Sequence, residues 1–342
     1  MIMKQVRPLR VRKIWSDNRH NAFTSLAGFC GEIFLAFRSA SNHKAMDGAI
    51  RILHSPDNGE TWESAAFIQK ENYDLRDPKL VELNGILHLF CFARSSDDTF
   101  VSYHLTSADG KNFSEPEAID GMGLIWGISK FGNKIYGTDY YRVSNANYRP
   151  RLYSSCDGSK WDKLMDFPMF GTEVALDFDE AGFLYTFIRD SGYGCGCIPT
   201  VARLEPPYTA MPEVDAKTMD LVKAIPLRMV GPMIKRLHGA SLLIGRCWDG
   251  GITQRRNIRT DVYILEDNED PLYCFTLPSG GDTSYASYYE TSPGRAVVSY
   301  YSAHEHLMAY PVDDNSGLVA EHNSFADIFV ADISHNYTGE EK

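Results

Sequence analysis

From Asn21 onward the chain runs as short apolar segments of two-residue alternation, each closed by a polar turn, and few stretches carry helical spacing. Ala49 to His54 and Ala65 to Ile68 read as strands, and the turn between them is Ser55-Pro-Asp57-Asn58-Gly59-Glu-Thr61-Trp62. Asp and Ser side chains bond to backbone NH groups two or three residues on, Asn-Gly supplies a tight reversal, and Thr-Trp restarts a strand with a large side chain to bury. The same order of Ser, Asp, Gly and aromatic returns at Ser107 to Phe113 and at Ser155 to Trp161. A nearly even offset of about fifty residues marks an internal repeat rather than three unrelated hairpins.

Each repeat unit is an apolar strand, a turn, a second strand, a longer polar loop, a third strand, the Asp-containing turn and a short fourth strand. The units start near residues 21, 76, 126, 173, 231 and 282. Asn84-Gly85 is an inner hairpin turn of the second, and Glu180-Ala-Gly182 turns the fourth, whose outer half is diluted by GYGCGCIPT and LEPPYTAMPEVD. FADIFVADI near the C-terminus or the N-terminal VRKIW supplies the last strand of the sixth unit and closes the ring. A lone meander cannot bury both faces, so the units must pack about an axis. The expected fold is all-β, a six-bladed β-propeller of four-stranded antiparallel blades, with residues 1–342 as a single domain. A two-sheet sandwich with long loops is the competing reading.

Composition agrees with strands, with 19 Tyr and 18 Phe among 342 residues. A formal charge of -11 gives no support for a nucleic-acid partner or an anionic membrane surface, although locally converging arginines can still hold an anion. No apolar stretch reaches the roughly 18 residues of a membrane span, so no membrane insertion is expected. The N-terminal MIMKQVRPLRVRKIW lacks a hydrophobic segment of secretory length, which makes cytoplasmic residence the expectation. Cys91, Cys247 and Cys274 lie in apolar runs, as reduced core thiols do, and Cys195 and Cys197 flank a glycine in a Gly-rich loop without further ligands at metal spacing. Neither a metal nor a cofactor is expected.

Propeller geometry points to the channel mouth, where residues entering the inner strands have no packing reason to be polar. Four places stand out there: Arg76-Asp77 in LRDPKL, Glu173 in GTEVAL, and Asp282 and Tyr285 in GGDTSYASY. Arginine also follows an apolar strand repeatedly, as Arg38, Arg94, Arg189 and Arg246. His43 in SNHKAMDG and His304 in SAHEH are candidate acids or bases near neutral pH, and His304-Glu-His306 lacks a third ligand for zinc. Tyr140-Tyr141 and Tyr300-Tyr301 offer stacking platforms for a sugar ring.

Together these features resemble the sialidase (neuraminidase) superfamily, whose blades carry the Asp-box or BNR repeat; SPDNGETW is a strong match, SADGKNF and SCDGSKW degenerate ones. GPMIKRLHGASLLIGR, LPSGGDTSY and VVSYYSAHE look further like an uncharacterised sialidase-like subgroup. The resemblance implies catalysis by Tyr285 as nucleophile, Glu173 as its base and Asp47 as acid and base. It implies substrate binding by Arg189 and Arg38, with Arg76 or Arg246 able to rebuild the anion clamp; Asp77 and Asp282 are added as substrate-binding candidates from their place at the channel mouth, and His43 and His304 from their own chemistry. The family pattern Phe-Arg-Ile-Pro is replaced here by Asn21-Ala22-Phe23-Thr24, so the first arginine of the anion-gripping triad is absent, and Arg19 or His20 stands just ahead of its place.

Tyrosine, with a reference pKa of about 10, needs a close general base to attack carbon. An uncharged nucleophile makes sense when the anomeric carbon already carries a carboxylate. The expected function is therefore an exo-acting glycosidase on an acidic or decorated sugar, with an acidic carbohydrate as the partner. A polysaccharide lyase using histidine or tyrosine, and a noncatalytic carbohydrate-binding propeller, are the alternatives.

Overall fold

The alternating pattern folds as strands throughout. The computed structural model describes residues 5–144, 147–189, 199–211, 222–224, 227–250, 256–267, 269–306 and 325–337. Its first strand, β1 (Val6–Trp15), belongs to the last blade. Blade one holds β2 (His20–Phe29), β3 (Glu32–Ala40), β4 (Ala49–Ser55) and β5 (Glu63–Ile68); blade two holds β6 (Tyr73–Leu83), β7 (Ile86–Ser95), β8 (Phe100–Ser107) and β9 (Glu117–Ala118). Blade three holds β10 (Leu124–Phe131), β11 (Lys134–Arg142), β12 (Tyr148–Ser155) and β13 (Asp162–Asp166), and blade four β14 (Thr172–Phe178), β15 (Leu184–Arg189), β16 (Thr200–Leu204) and β17 (Val222–Ala224). Blade five holds β18 (Val230–Leu237), β19 (Ala240–Asp249), β20 (Arg256–Glu266) and β21 (Leu272–Leu277). In blade six β22 (Thr283–Ser292), β23 (Arg295–Ser302) and β24 (Asp327–His335) are followed outward by β1.

Every pairing is antiparallel within a blade, and each inner strand touches the inner strands of both neighbours around a closed ring. The fold is thus the expected six-bladed propeller, and the inner strands begin within three residues of the places read from the pattern. Ring closure uses both candidates rather than one: FADIFVADI forms the third strand of blade six and the N-terminal strand its fourth. Cys195 and Cys197 lie outside the described residues.

Among the described residues the apolar core divides into six clusters, one at each blade interface. This follows from the alternation: each sheet is apolar on both faces, and successive blades bury those faces against each other. The three Ser-Asp-Gly turns join the third and fourth strands of blades one to three, on the face away from the inner-strand starts. In the first, Ser55 Oγ accepts from Gly59 N at 2.7 Å, Asp57 accepts from Thr61 N at 2.8 Å, and Trp62 Nε1 donates to Gly59 O at 3.0 Å. Ser155, Asp157, Gly158 and Trp161 repeat that lock in blade three.

Candidate active site

All six inner strands break register near their start, between Ala22 and Ser25, Arg76 and Lys79, Ile125 and Ile128, Thr172 and Val174, Val230 and Met233, and Ser284 and Ser287. A bulge of this kind bends the strand and re-aims a side chain. In five of the six the bulged residue has left-handed backbone: Phe23 (φ 63), Asp77 (φ 49), Glu173 (φ 45), Gly231 (φ 59) and Tyr285 (φ 49). For Phe, Glu and Tyr that conformation costs about 1–3 kcal/mol each, and such strain gathers at functional sites. Past the bulges, the six strands surround a channel of about 690 Å³ lined by residues such as Ser25, Lys79, Ser129, Asp177 and Lys235.

The bulges bring Glu173 of blade four to Tyr285 of blade six. Tyr285 Oη donates to Glu173 Oε1 at 3.1 Å, Arg189 Nη1 pairs with the same oxygen, and Gly231 N donates to Oε2 at 2.9 Å. A Cβ on Gly231 would stand 2.5 Å from the Tyr285 ring, so only glycine lets the phenol lie there. Phe23 and Trp126 pack against that ring at centroid distances of 4.8 and 5.3 Å. Burial and the facing Glu173 carboxylate push the Tyr285 phenol well above its usual value, so it is neutral near pH 7.

A second cluster centres on Asp282. Its Oδ1 accepts from Arg246 Nη2 at 2.6 Å and Tyr301 Oη at 2.7 Å, and its Oδ2 meets His20 Nε2 at 2.7 Å and His43 Nδ1 at 2.5 Å. Burial raises this carboxyl, but His43, Arg246 and His20 outweigh it and hold the group well below the carboxylate range. Burial also lowers His43 to about 4 and lowers His20, so both rings are neutral near pH 7. Arg246 Nε further donates to Thr283 O at 2.8 Å.

His20, His43 and Asp282 form a group in which a metal ion has to be considered, their ligand atoms lying within 4.8 Å of one another. The fit is poor. Zinc bonds of about 2 Å set tetrahedral ligands roughly 3.3 Å apart, whereas the imidazole-to-carboxylate separations are 2.7 and 2.5 Å, which are hydrogen-bond lengths. The carboxylate is already filled by four donors, and the cluster holds itself together as hydrogen bonds.

A third group fixes the loop before β4. Asp74 takes Arg38 Nε at 2.7 Å and Arg76 Nη1 at 2.9 Å. Arg38 then donates to Asn42 O at 3.2 Å and Ala45 O at 3.0 Å, and Arg76 to His43 O at 2.9 Å. Arg38, expected as a substrate contact, is fully buried, and its hydrogen bonds hold this loop. Arg76 also lies over the Phe23 ring, 5.1 Å from its centroid.

The expected residues divide by place. Glu173, Tyr285 and Arg189 meet directly; Asp282, Arg246 and His43 meet beside them, linked through Phe23 and the Tyr285 ring. Asp77 occupies the blade-two bulge. Asp47 sits on the loop anchored by Arg38 with its side chain 43% exposed, taking Arg19 Nη2 at 3.0 Å, Ser41 N at 3.0 Å and Ser41 Oγ at 3.1 Å. His304 bonds Ser302 and packs on Phe329, and no recorded contact joins it to Glu173, Tyr285 or Asp282 among the described residues. Tyr300 and Tyr301 are both fully buried and cannot serve as the stacking platform read from their pairing, and Arg94 pairs with Asp98 at a hairpin tip. Asp74 and Trp126 were not singled out from sequence, and Tyr301 was read there only as a stacking platform, not as a partner of Asp282. Asp74 alone had a signal, two residues before Arg76 and so on the same face of its strand.

No protein family and no curated protein matches the chain. Solved structures do. A protein of unknown function from Dyadobacter fermentans aligns with a TM-score of 0.74 at 17% identity, covering 97% of this chain and 99% of that one. Trypanosoma rangeli sialidase aligns at 0.65 and 12% identity over 92% of this chain, which spans 55% of the trypanosomal enzyme. The GH43_1 enzyme from Xanthomonas citri complexed with xylotriose aligns at 0.50 and 14% identity, covering 95% of this chain and 89% of that one. At these identities the likeness is one of fold, and by that measure the chain is a six-bladed propeller resembling those of the sialidase type.

Proposed function

We propose that this propeller is a retaining, exo-acting glycoside hydrolase in which Tyr285 is the nucleophile and Glu173 its general base, acting on an acidic or otherwise decorated sugar. One observation carries the reading: a neutral phenol hydrogen-bonded at 3.1 Å to a buried carboxylate, each on a strained bulge that packing alone does not require. Tyr285 Oη attacks the anomeric carbon while its proton passes to Glu173 Oε1, giving a tyrosyl-glycoside that water then cleaves. Arg189 and Gly231 N hold Glu173 in place for that transfer. Tyrosine as nucleophile suits an anomeric centre bearing a carboxylate, and Arg189, whose buried Nε has no hydrogen-bond partner among the described residues, is the donor at hand for an acidic group. The resemblance of fold to a propeller named as a sialidase supports a carbohydrate substrate.

The test is a panel of 4-nitrophenyl and 4-methylumbelliferyl glycosides of sialic, uronic and neutral sugars, read for released phenol and for the ultraviolet absorbance of an unsaturated product. Hydrolysis is expected, with Tyr285→Phe and Glu173→Gln each losing about 10²–10⁴-fold. Full activity in Tyr285→Phe defeats the assignment, and absorbance without hydrolysis replaces it with a lyase.

A further inference from the structure

The other carboxylates described at the starts of the inner strands are saturated: Glu173 takes Tyr285, Arg189 and Gly231 N, Asp282 takes four donors, and Asp74 takes two arginines. Asp77 is the exception. It is 3% exposed, and its buried Oδ1 has no hydrogen-bond partner among the described residues. It holds on β6 the bulge position that Glu173 holds on β14 and Tyr285 on β22, with nearly the same backbone angle. Blades two, four and six alternate around the ring, so these three polar side chains share one layer about the axis. A buried carboxylate without donors is expensive unless it carries a proton or meets a ligand.

Resting on the glycosidase reading, we propose that Asp77 is the proton donor to the departing sugar oxygen and the base that activates water in the second step. In the first step the bond from Tyr285 Oη to the anomeric carbon forms and the glycosidic bond breaks; the Asp77 proton goes to the leaving oxygen and the Tyr285 proton to Glu173. In the second, water adds to the carbon and gives its proton to Asp77, the tyrosyl bond breaks, and Glu173 returns its proton to Tyr285. Atoms and charge balance over the two steps.

The groups around Asp77 set its proton affinity. Burial pushes its carboxyl up to about 6, against Lys79 and Arg76 on its own strand and Arg38 from β3, and with help from Glu173 on β14. Cys91 on β7, Tyr140 on β11 and Tyr285 on β22 face it as neutral groups, each raised chiefly by burial. Asp47, the acid and base expected from sequence, is the poorer donor: Ser41 and Arg19 hold its carboxyl below the usual range despite partial burial, leaving it ionised at neutral pH.

Asp77→Ala, Asp47→Ala and the wild type are compared on aryl glycosides of the sugar that the panel identifies, with leaving groups from 4-nitrophenol to phenol. Asp77→Ala is expected to lose about 10²–10⁴-fold on the phenyl glycoside and far less on the nitrophenyl one. Sodium azide is expected to restore turnover, and the fall in kcat/KM above pH 6 to disappear. Asp47→Ala is expected to show no such dependence on the leaving group. In protein labelled with ¹³C at aspartate carboxyls, one signal is expected to titrate near pH 6 and to be missing in Asp77→Asn. Equal losses on both leaving groups carried by KM, the leaving-group pattern in Asp47→Ala, or an Asp77 signal titrating below pH 4 overturns the proposal. Turnover that needs Tyr285 without Asp77 defeats the proton-donor role alone, whereas a wild type inert on every glycoside defeats both.

Discussion

Gly231 shows how much of the site hangs on single residues. Its NH holds Glu173, and its missing side chain leaves room for the Tyr285 ring. Gly231→Ala forces both a left-handed alanine and a clash, with an expected cost of about 1–3 kcal/mol. The phenol moves off Glu173, so activity is expected to fall by more than the stability loss explains; a urea titration beside kcat/KM separates the two. Asp282→Asn leaves Arg246 without its buried charge partner and is expected to cost about 3–5 kcal/mol by urea denaturation. The histidines beside it set the acid response. His43 titrates at about 4 in the fold and near 6.5 when unfolded, so the unfolded chain takes up its proton first and stability drops as pH falls from 6.5 to 4. Asp77 works in the other direction: its folded value of about 6 lies above the unfolded one near 3.9, so the fold gains stability as pH falls through that window. Asp77→Asn is therefore expected to steepen the acid loss in urea midpoints measured from pH 7 to 4, and His43→Gln to flatten it.

At the scale of elements, each Ser-Asp-Gly turn proves to be a contact between blades as well as a hairpin lock. Gly59 lies against Val297 of blade six, Gly110 against Phe34 of blade one, and Gly158 against His88 and His104 of blade two. Those two imidazoles meet at 2.9 Å, and burial lowers His104 to about 4. The aspartates themselves touch no site residue. Ser55→Ala, which strips Gly59 N of its buried acceptor, is expected to cost about 1–3 kcal/mol with kcat/KM unchanged at a temperature where both proteins are folded. A fall in kcat/KM without loss of stability would contradict that separation of turn from site.

For the whole molecule, the closing strand ties the ring. β1 pairs along β24, Arg10 and Arg12 reach Asp332 beneath it, and Arg12 donates to Gly59 O at 2.5 Å and Glu60 O at 3.0 Å in the turn of blade one. The first turn and the first strand thus clasp each other across the seam. Removing residues 1–15 uncovers the β24 edge and this clasp, and the expected result is a lower thermal midpoint with concentration-dependent aggregation, measured by light scattering during the melt. A midpoint unchanged on deletion would mean that the other five interfaces hold the ring without it.

Blade number, strand starts and the three turns were legible in the sequence because they are local: alternation sets a strand, Asn-Gly or Asp-Gly sets its end, and the repeat sets the count. Glu173 and Tyr285, which the fold brings into contact, stood out as candidates for a related reason, as polar residues at strand starts where packing has no use for them. What each charged group does was not legible. Arg38, Arg189 and Arg246 follow similar apolar strands, yet one anchors a loop, one holds Glu173 and one is bound to Asp282, because their partners lie in other strands and often in other blades. Asp47 and Asp77 likewise differ only in what surrounds them, an exposed loop with Arg19 in one case and, in the other, a buried bulge whose Oδ1 meets no donor among the described residues. Chain pattern determined where the strands of this protein begin and how many blades they make. Tertiary structure alone decided which charges are spent on each other, since partner, burial and solvent access are set by residues far apart in the chain.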